Sequence, residues 1–229
     1  MSTIGQHLQA VRRRIDITAR DCGRDSGSVT LLAVSKTRTV GEILETIACG
    51  QRHFGENYLQ EAQPKIAALR DANLIWHFIG PVQSNKTRLI ARDFSWVHSV
   101  DRLRIAHRLS EQRPPGMPPL QLCLQVNISR DPNKSGFAEE DVTFAAEEIA
   151  RLPNITLRGL MALPSASVDP TLQRAPFAKL RHLQETLSAQ IPTADTLSMG
   201  MSGDLEAAVA EGSTIVRVGT DIFGPRKGN

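Results

Sequence analysis

The chain has 229 residues, 41% hydrophobic and 22% charged, the proportions of a globular protein able to bury a sizeable core in one large domain. A net charge of +3 and 4% aromatic residues supply neither a strong basic field nor many platforms for base stacking, which sets a nucleic-acid partner aside. Three widely spaced cysteines, Cys22, Cys49 and Cys123, form no C-x-x-C pair, so no disulfide framework or thiolate metal site is expected, and a reducing cytoplasm is.

The opening stretch MSTIGQHLQAVRRRIDI breaks its apolar positions with charges and so lacks a signal-peptide core. No later stretch approaches the ~20 apolar residues of a membrane span, so no membrane partner is expected. Helical periodicity covers Gly5–Arg20, where Arg12, Arg13 and Arg14 point in different directions, the pattern of a solvated surface. A strand over Leu31–Val34 then leads to a helix over Val40–Cys49, whose Val40, Ile43, Leu44 and Ile47 share one face. Strand Arg52–Phe54, helix Tyr58–Arg70, strand Leu74–Ile79, helix Asn85–Arg92, strand Ser95–His98 and helix Asp101–Gln112 continue the alternation. RPPGMPP, at 113–119, has the composition of a linker, yet the rhythm persists beyond it and makes it a loop at the N-terminal face of a sheet. Strand Leu120–Val126, helix Glu139–Arg151, strand Thr156–Leu160, helix Pro176–Gln190, strand Thr196–Ser198, helix Leu205–Glu211 and strand Thr214–Val218 complete the chain. Eight strands alternating with helices predict an α/β fold of the (β/α)8 TIM barrel type over residues 1–229, with Gly5–Arg20 as an extra N-terminal helix. A doubly wound open sheet is the alternative, because strand order cannot be read from the pattern.

Functional groups of such barrels collect where strands end and βα loops begin. At that edge LLAVSKT, 31–37, runs from a buried strand into a lysine, and if Val34 packs inward then Lys36 points into the barrel mouth. Only lysine among the basic residues can lose its proton and attack a carbonyl, and the chain has six: Lys36, Lys65, Lys86, Lys134, Lys179 and Lys227. Lys65, Lys86 and Lys179 fall in helical stretches on the barrel's outside, Lys227 in the tail, and Lys134 in the turn-rich loop DPNKSGF, so Lys36 is the favoured nucleophile. Towards the other end, the loop Met199–Gly203 enters a helix with Ser202 placed as N-cap, and Gly219-Thr220 follows strand eight. Loops after strands seven and eight form the usual phosphate cradle of this barrel. Arg217, two residues beyond the inward candidate Ile215, would face the same ligand. A lysine, a phosphate cradle and a central arginine together suit pyridoxal 5′-phosphate, with its aldehyde, phosphate and ring nitrogen.

The motifs AVSKT (33–37), FGENY (54–58), WHFIGPVQSNK (76–86), HSVDR (98–102), QVNIS (125–129), KSGF (134–137), RGLMALP (158–164), LSMGMSGDLEAAVAEGST (197–214) and VRVGTDIFG (216–224) closely resemble, in content and order, those of the pyridoxal phosphate homeostasis proteins. The resemblance implies that Lys36 carries the cofactor covalently as an aldimine and that Ser202, Gly219 and Thr220 hold its phosphate. It places Arg217 at the pyridine nitrogen, Asn57 near the polar edge and Met201 on the pocket lining. It also implies the barrel of the alanine-racemase N-terminal type without a second domain; a monomer that stores the cofactor and delivers it to apo-enzymes is the expectation. Two departures stand out: Arg38 occupies a position where many members have lysine, and the ending GPRKGN differs from the usual GARDY-like tail.

His53, His77 and His98 lie at strand ends and raise the possibility of a metal-dependent hydrolase. The strand-one H-x-H pair of such sites is missing, so histidines hydrogen-bonded within the barrel wall are expected instead. The rival to a carrier is a racemase, which needs an acid–base group on each face of its substrate, usually the lysine and a tyrosine. The single tyrosine here is Tyr58, and an arginine at the ring nitrogen makes a weak electron sink, so binding without appreciable turnover is expected.

Overall fold

The computed structural model describes residues 3–165, 167 and 169–225, which leaves Lys227 and most of the GPRKGN ending outside the described residues. Eight parallel strands, β1 (Thr30–Val34), β2 (His53–Glu56), β3 (Ile75–Phe78), β4 (Trp96–Val100), β5 (Leu120–Val126), β6 (Ile155–Ala162), β7 (Thr196–Ser198) and β8 (Ile215–Val218), pair in chain order. The last returns to the first, with Leu32 opposite Arg217 and Ala33 opposite Val218, and this closing pair excludes the open sheet. No helix of the described residues is long and apolar enough to cross a membrane.

Ahead of the barrel, α1 (Ile4–Asp21) starts in a capping box, Thr3 Oγ1 accepting from Gln6 N while the Gln6 side chain accepts from Thr3 N. It buries Leu8, Val11, Ile15 and Ala19, one stripe at helical spacing. Between the strands run α2 (Val40–Ala48), α3 (Leu59–Ala68), α4 (Thr87–Asp93), α5 (Leu103–Gln112), α6 (Val142–Ala150), α7 (Pro170–Gln190) and α8 (Leu205–Ala210), and the short α9 (Thr220–Phe223) follows β8. Helix α7 begins six residues before the expected Pro176. Proline is best tolerated in a first turn, so the sequence suggests a start there, but Pro176 sits in the second turn. The 113–119 loop lies between α5 and β5, at the N-terminal face, where the buried Arg113 donates to the Phe94 and Pro118 carbonyls.

Alternation along the strands separates two layers. Phe54, Trp76 and Phe78 face the helices, in aromatic pairs Phe54–Trp76 and Phe78–Phe94. Inside the barrel, where branched apolar residues ordinarily stack, this chain places His77, His98, Ser198 and Arg217.

Candidate cofactor site

Turns at the C-terminal ends of the strands build the site. After β1 the chain makes a tight turn, Arg38 N donating to Ser35 O at 3.0 Å, with Thr37 in the left-handed region (φ 62°) and its amide bonded to Glu61 Oε2 at 2.8 Å. A β-branched residue in that conformation is costly, and the strain falls beside Lys36. Beneath the turn, Ser35 Oγ donates to Glu56 Oε1 at 2.6 Å, and Lys65 Nζ donates to Glu56 Oε1 and Ser35 O, each at 2.8 Å. Lys65 is therefore buried and ion-paired, not set on the barrel's outer surface, because the outward face of β2 presents a carboxylate to α3. Burial raises the Glu56 carboxyl above its ordinary range, opposed by its bonds to Lys65 and Ser35.

After β2, Asn57 packs so closely on the β3–α4 loop that a Cβ on Gly80 would stand 2.0 Å from the Asn57 carbonyl oxygen. Its side-chain Oδ1 is buried and accepts no hydrogen bond. After β7, Gly200 adopts φ 94° and the chain turns through Met201, Ser202 and Gly203 into α8. The N-cap of that helix is Asp204, which corrects the expectation for Ser202: Asp204 Oδ1 accepts from Met201 N at 2.6 Å and so tightens the loop. Freed from capping, Ser202 remains in the turn, and the amides of Ser202 and Gly203 donate to no group among the described residues. After β8, Gly219 lies against Val34, a Cβ there meeting the Val34 carbonyl oxygen at 3.3 Å, and Thr220 opens α9.

The structure gathers all seven expected residues, Lys36, Asn57, Met201, Ser202, Arg217, Gly219 and Thr220, on the wall of one cavity of about 390 Å³. Val34, Ile79, Met161, Leu163 and Gly203 complete it. Lys36 is half-buried, and Met201 forms part of the rim. Arg217 is 4% exposed; its Nη1 donates to Ser198 O at 2.5 Å and Ser198 Oγ at 2.8 Å, and its Nη2 to Ala162 O at 2.9 Å. No carboxylate lies within ion-pair distance of it among the described residues, and burial, opposed by the charge of Asp204, lowers its pKa to about 10. Asp204 offsets part of its charge without a direct ion pair, and a buried guanidinium with donors to spare facing a cavity suits an acceptor there. Free amides, hydroxyls, an orphan amide oxygen and a lysine suit a phosphorylated, polar-edged carbonyl compound.

A sequence profile of the alanine racemase N-terminal domain matches residues 6–227. The pyridoxal phosphate homeostasis protein of Pseudomonas aeruginosa is 57% identical over 99% of this chain and 97% of its own length, and that of Vibrio cholerae is 53% identical over 99% and 98%. The chain belongs to the pyridoxal phosphate homeostasis protein family. Among solved structures, PipY of Synechococcus elongatus PCC7942 with PLP bound superposes with a TM-score of 0.85 at 38% identity, covering 97% of this chain and all of that one.

Against the pattern of pyridoxal phosphate homeostasis proteins, the Arg38 departure has a structural account. Its buried guanidinium donates to Gly224 O at 2.6 Å and Pro225 O at 3.2 Å, approaches Glu42 at 3.5 Å and lies over the Phe223 ring. Arginine there ties the β1 turn to the end of α9. Sequence reasoning missed Arg14, which pairs with Glu206 at 2.7 Å and Asp221 at 2.5 Å and donates to Ser202 O at 3.3 Å, so that α1 braces both loops of the cradle. The available signal was its place one helical turn beyond the buried Val11, on the edge of the apolar stripe.

Proposed function

We propose that the cavity binds pyridoxal 5′-phosphate, attached covalently through Lys36, and that the protein stores and delivers this cofactor with little or no turnover. The observation that carries the reading is the buried Arg217 guanidinium, which lacks a carboxylate partner among the described residues and shares one cavity with Lys36 and the open amides of the 201–203 loop. Ser202, Gly219 and Thr220 would hold the phosphate, Arg217 the ring nitrogen and Asn57 the polar edge. When bound, the group supplies an aldehyde that condenses with a lysine amine and a ring that delocalises electrons. Arg217 has no proton-accepting role at that ring, and a guanidinium beside the nitrogen opposes its protonation, which weakens the ring as an electron sink. The racemase alternative is disfavoured because Tyr58 is half-exposed at the start of α3 and stands outside the wall of this cavity. The partners of the reading are the small-molecule cofactor and apo-enzymes of the cytoplasm, served by a monomer.

Its test is to load the protein with pyridoxal phosphate, reduce with borohydride and map the adduct by mass spectrometry. The expected label lies on the peptide containing Lys36 and disappears in Lys36→Ala; label on Lys134, or none at all, overturns the assignment. The loaded protein should also reactivate an apo-aminotransferase, and racemisation or decarboxylation of any common amino acid at ~1 s⁻¹ or faster would establish an enzyme instead.

A further inference from the structure

Through the barrel interior runs one continuous hydrogen-bonded line of side chains. Arg217 Nη1 meets Ser198 Oγ at 2.8 Å, Ser198 Oγ meets His98 Nδ1 at 2.7 Å, His98 Nε2 meets His77 Nδ1 at 2.9 Å, and His77 Nε2 meets His53 Nδ1 at 3.0 Å. The Ser198–His98 link crosses the barrel, because β7 and β4 are not neighbours in the sheet. Ser198, His77 and His98 are fully buried, and His53, at the other end, opens onto a cavity of about 420 Å³ on the N-terminal face.

Elementary hydrogen-bond accounting gives this line a direction. A guanidinium only donates, so Ser198 Oγ accepts from Arg217. The serine proton then needs an acceptor, and the other atom bonded to Oγ is His98 Nδ1. If His98 Nδ1 carried a proton and donated instead, the Ser198 hydroxyl hydrogen would be buried with no partner. His98 therefore accepts at Nδ1 and, being neutral, holds its proton on Nε2, which donates to His77 Nδ1. The same step repeated makes His77 an Nε2–H donor to His53 Nδ1 and leaves the His53 proton on Nε2. Burial keeps the imidazoles neutral: it lowers His98 to about 3, His77 well below the ordinary histidine value, and lowers His53 as well.

We infer that His98 is a positioning residue for Arg217, holding the guanidinium through Ser198, and that Arg217 in turn sets one shared tautomer, Nε2–H, in His98, His77 and His53. The part of this inference that concerns the ligand rests on the proposed placement of pyridoxal phosphate against Arg217; the tautomer part does not. With His98 accepting, Ser198 presents only lone pairs to the arginine, and two of the guanidinium's donors are held on Ser198 while Nη2 is held on Ala162 O. Without an acceptor at His98 the serine proton is left buried with no partner, and the hydroxyl's hold on the arginine loosens.

The test has two arms. Nitrogen NMR of full-length protein labelled in its histidine rings, without cofactor and at neutral pH, should show Nε2 protonated and Nδ1 bare in all three residues. In Ser198→Ala the His98 ring should lose its single tautomer. A protonated Nδ1 in any of the three wild-type rings overturns the inference. In the second arm, His98→Asn keeps an oxygen close to the Nδ1 position and His98→Leu does not. Pyridoxal phosphate affinity should fall roughly tenfold in His98→Leu, the scale of one hydrogen bond to a charged group, and stay within about threefold in His98→Asn. Equal losses in the two, with both variants folded by circular dichroism, overturn the positioning role. A wild-type protein that binds no pyridoxal phosphate refutes the proposed function, and the NMR arm still decides the tautomers.

Discussion

Two buried polar groups show how this chain handles charge at the level of single residues. Glu56 and Lys65 form a close pair under the Lys36 turn, and such a pair contributes little to stability against an apolar substitute while removal of one partner is costly. Glu56 Oε2 is left without a hydrogen bond, so the pair holds the turn from below with one oxygen in reserve. The histidine line follows the other course and stays neutral. Its thermodynamic sign is definite: an unfolded histidine takes up a proton as pH falls through 6.5, whereas buried His98 resists until about 3. The unfolded state therefore binds more protons across that window, and stability falls as pH falls. Melting temperature should drop steadily from pH 7 to pH 4, by on the order of a few kcal/mol in stability, and the slope should be shallower in His98→Asn. Identical slopes in the two proteins would show that His98 titrates no differently on folding.

Elements place these residues through their ends. Helix α2 starts two residues after the Lys36 turn in a capping box, Thr39 Oγ1 accepting from Glu42 N at 3.2 Å and Glu42 Oε2 accepting from Thr39 N at 2.7 Å. The turn is thereby pinned between a rigid strand and a rigid helix. The β2–α3 and β3–α4 loops are pressed together at Asn57 and Gly80, with no room for a side chain at the glycine. Gly80→Ala should destabilise the protein by about 1–3 kcal/mol or more and lower pyridoxal phosphate affinity, since the Asn57 backbone must move. Gly203→Ala is the control for stability, because a Cβ there meets nothing within 4 Å and denaturant unfolding should shift by less than about 0.5 kcal/mol. A neutral Gly80→Ala would show that the two loops are more pliant than their contact implies.

Over the whole molecule, barrel closure is what joins the ends of the sequence. Lys36 and Arg217 are 181 positions apart, yet β1 and β8 are hydrogen-bonded neighbours with Leu32 opposite Arg217. Arg14 of α1 then ties the same corner to α8 and α9. A ligand spanning this seam binds only the closed barrel, so it must stabilise the fold as a unit. Pyridoxal phosphate at a hundred times its dissociation constant should add about 2.7 kcal/mol, which for a chain of this size raises the melting temperature by roughly 5–10 °C. Lys36→Ala should show a much smaller rise at the same concentration. A wild-type melting curve indifferent to the cofactor would place its site elsewhere or nowhere on this protein.

Period and punctuation alone determined the succession of eight strands and their helices, because a strand with buried faces and an amphipathic helix each write their burial into consecutive residues. The same local logic marked Lys36, Arg217 and the glycine-rich loops as candidates, since functional groups in this architecture follow strand ends and such ends are legible. The exact boundaries of α7 and the cap of α8 were not, because proline and serine each satisfy more than one local geometry and the choice depends on neighbouring elements. Only the tertiary structure decided that Lys65 is buried against Glu56, that Arg14 braces the cradle, and that three histidines from separate strands join Arg217 in one line. Each of those facts is a pairing between residues on separate elements, and a pairing has no signature in either partner's local pattern. It exists once the sheet closes and brings β4 to face β7 across the barrel.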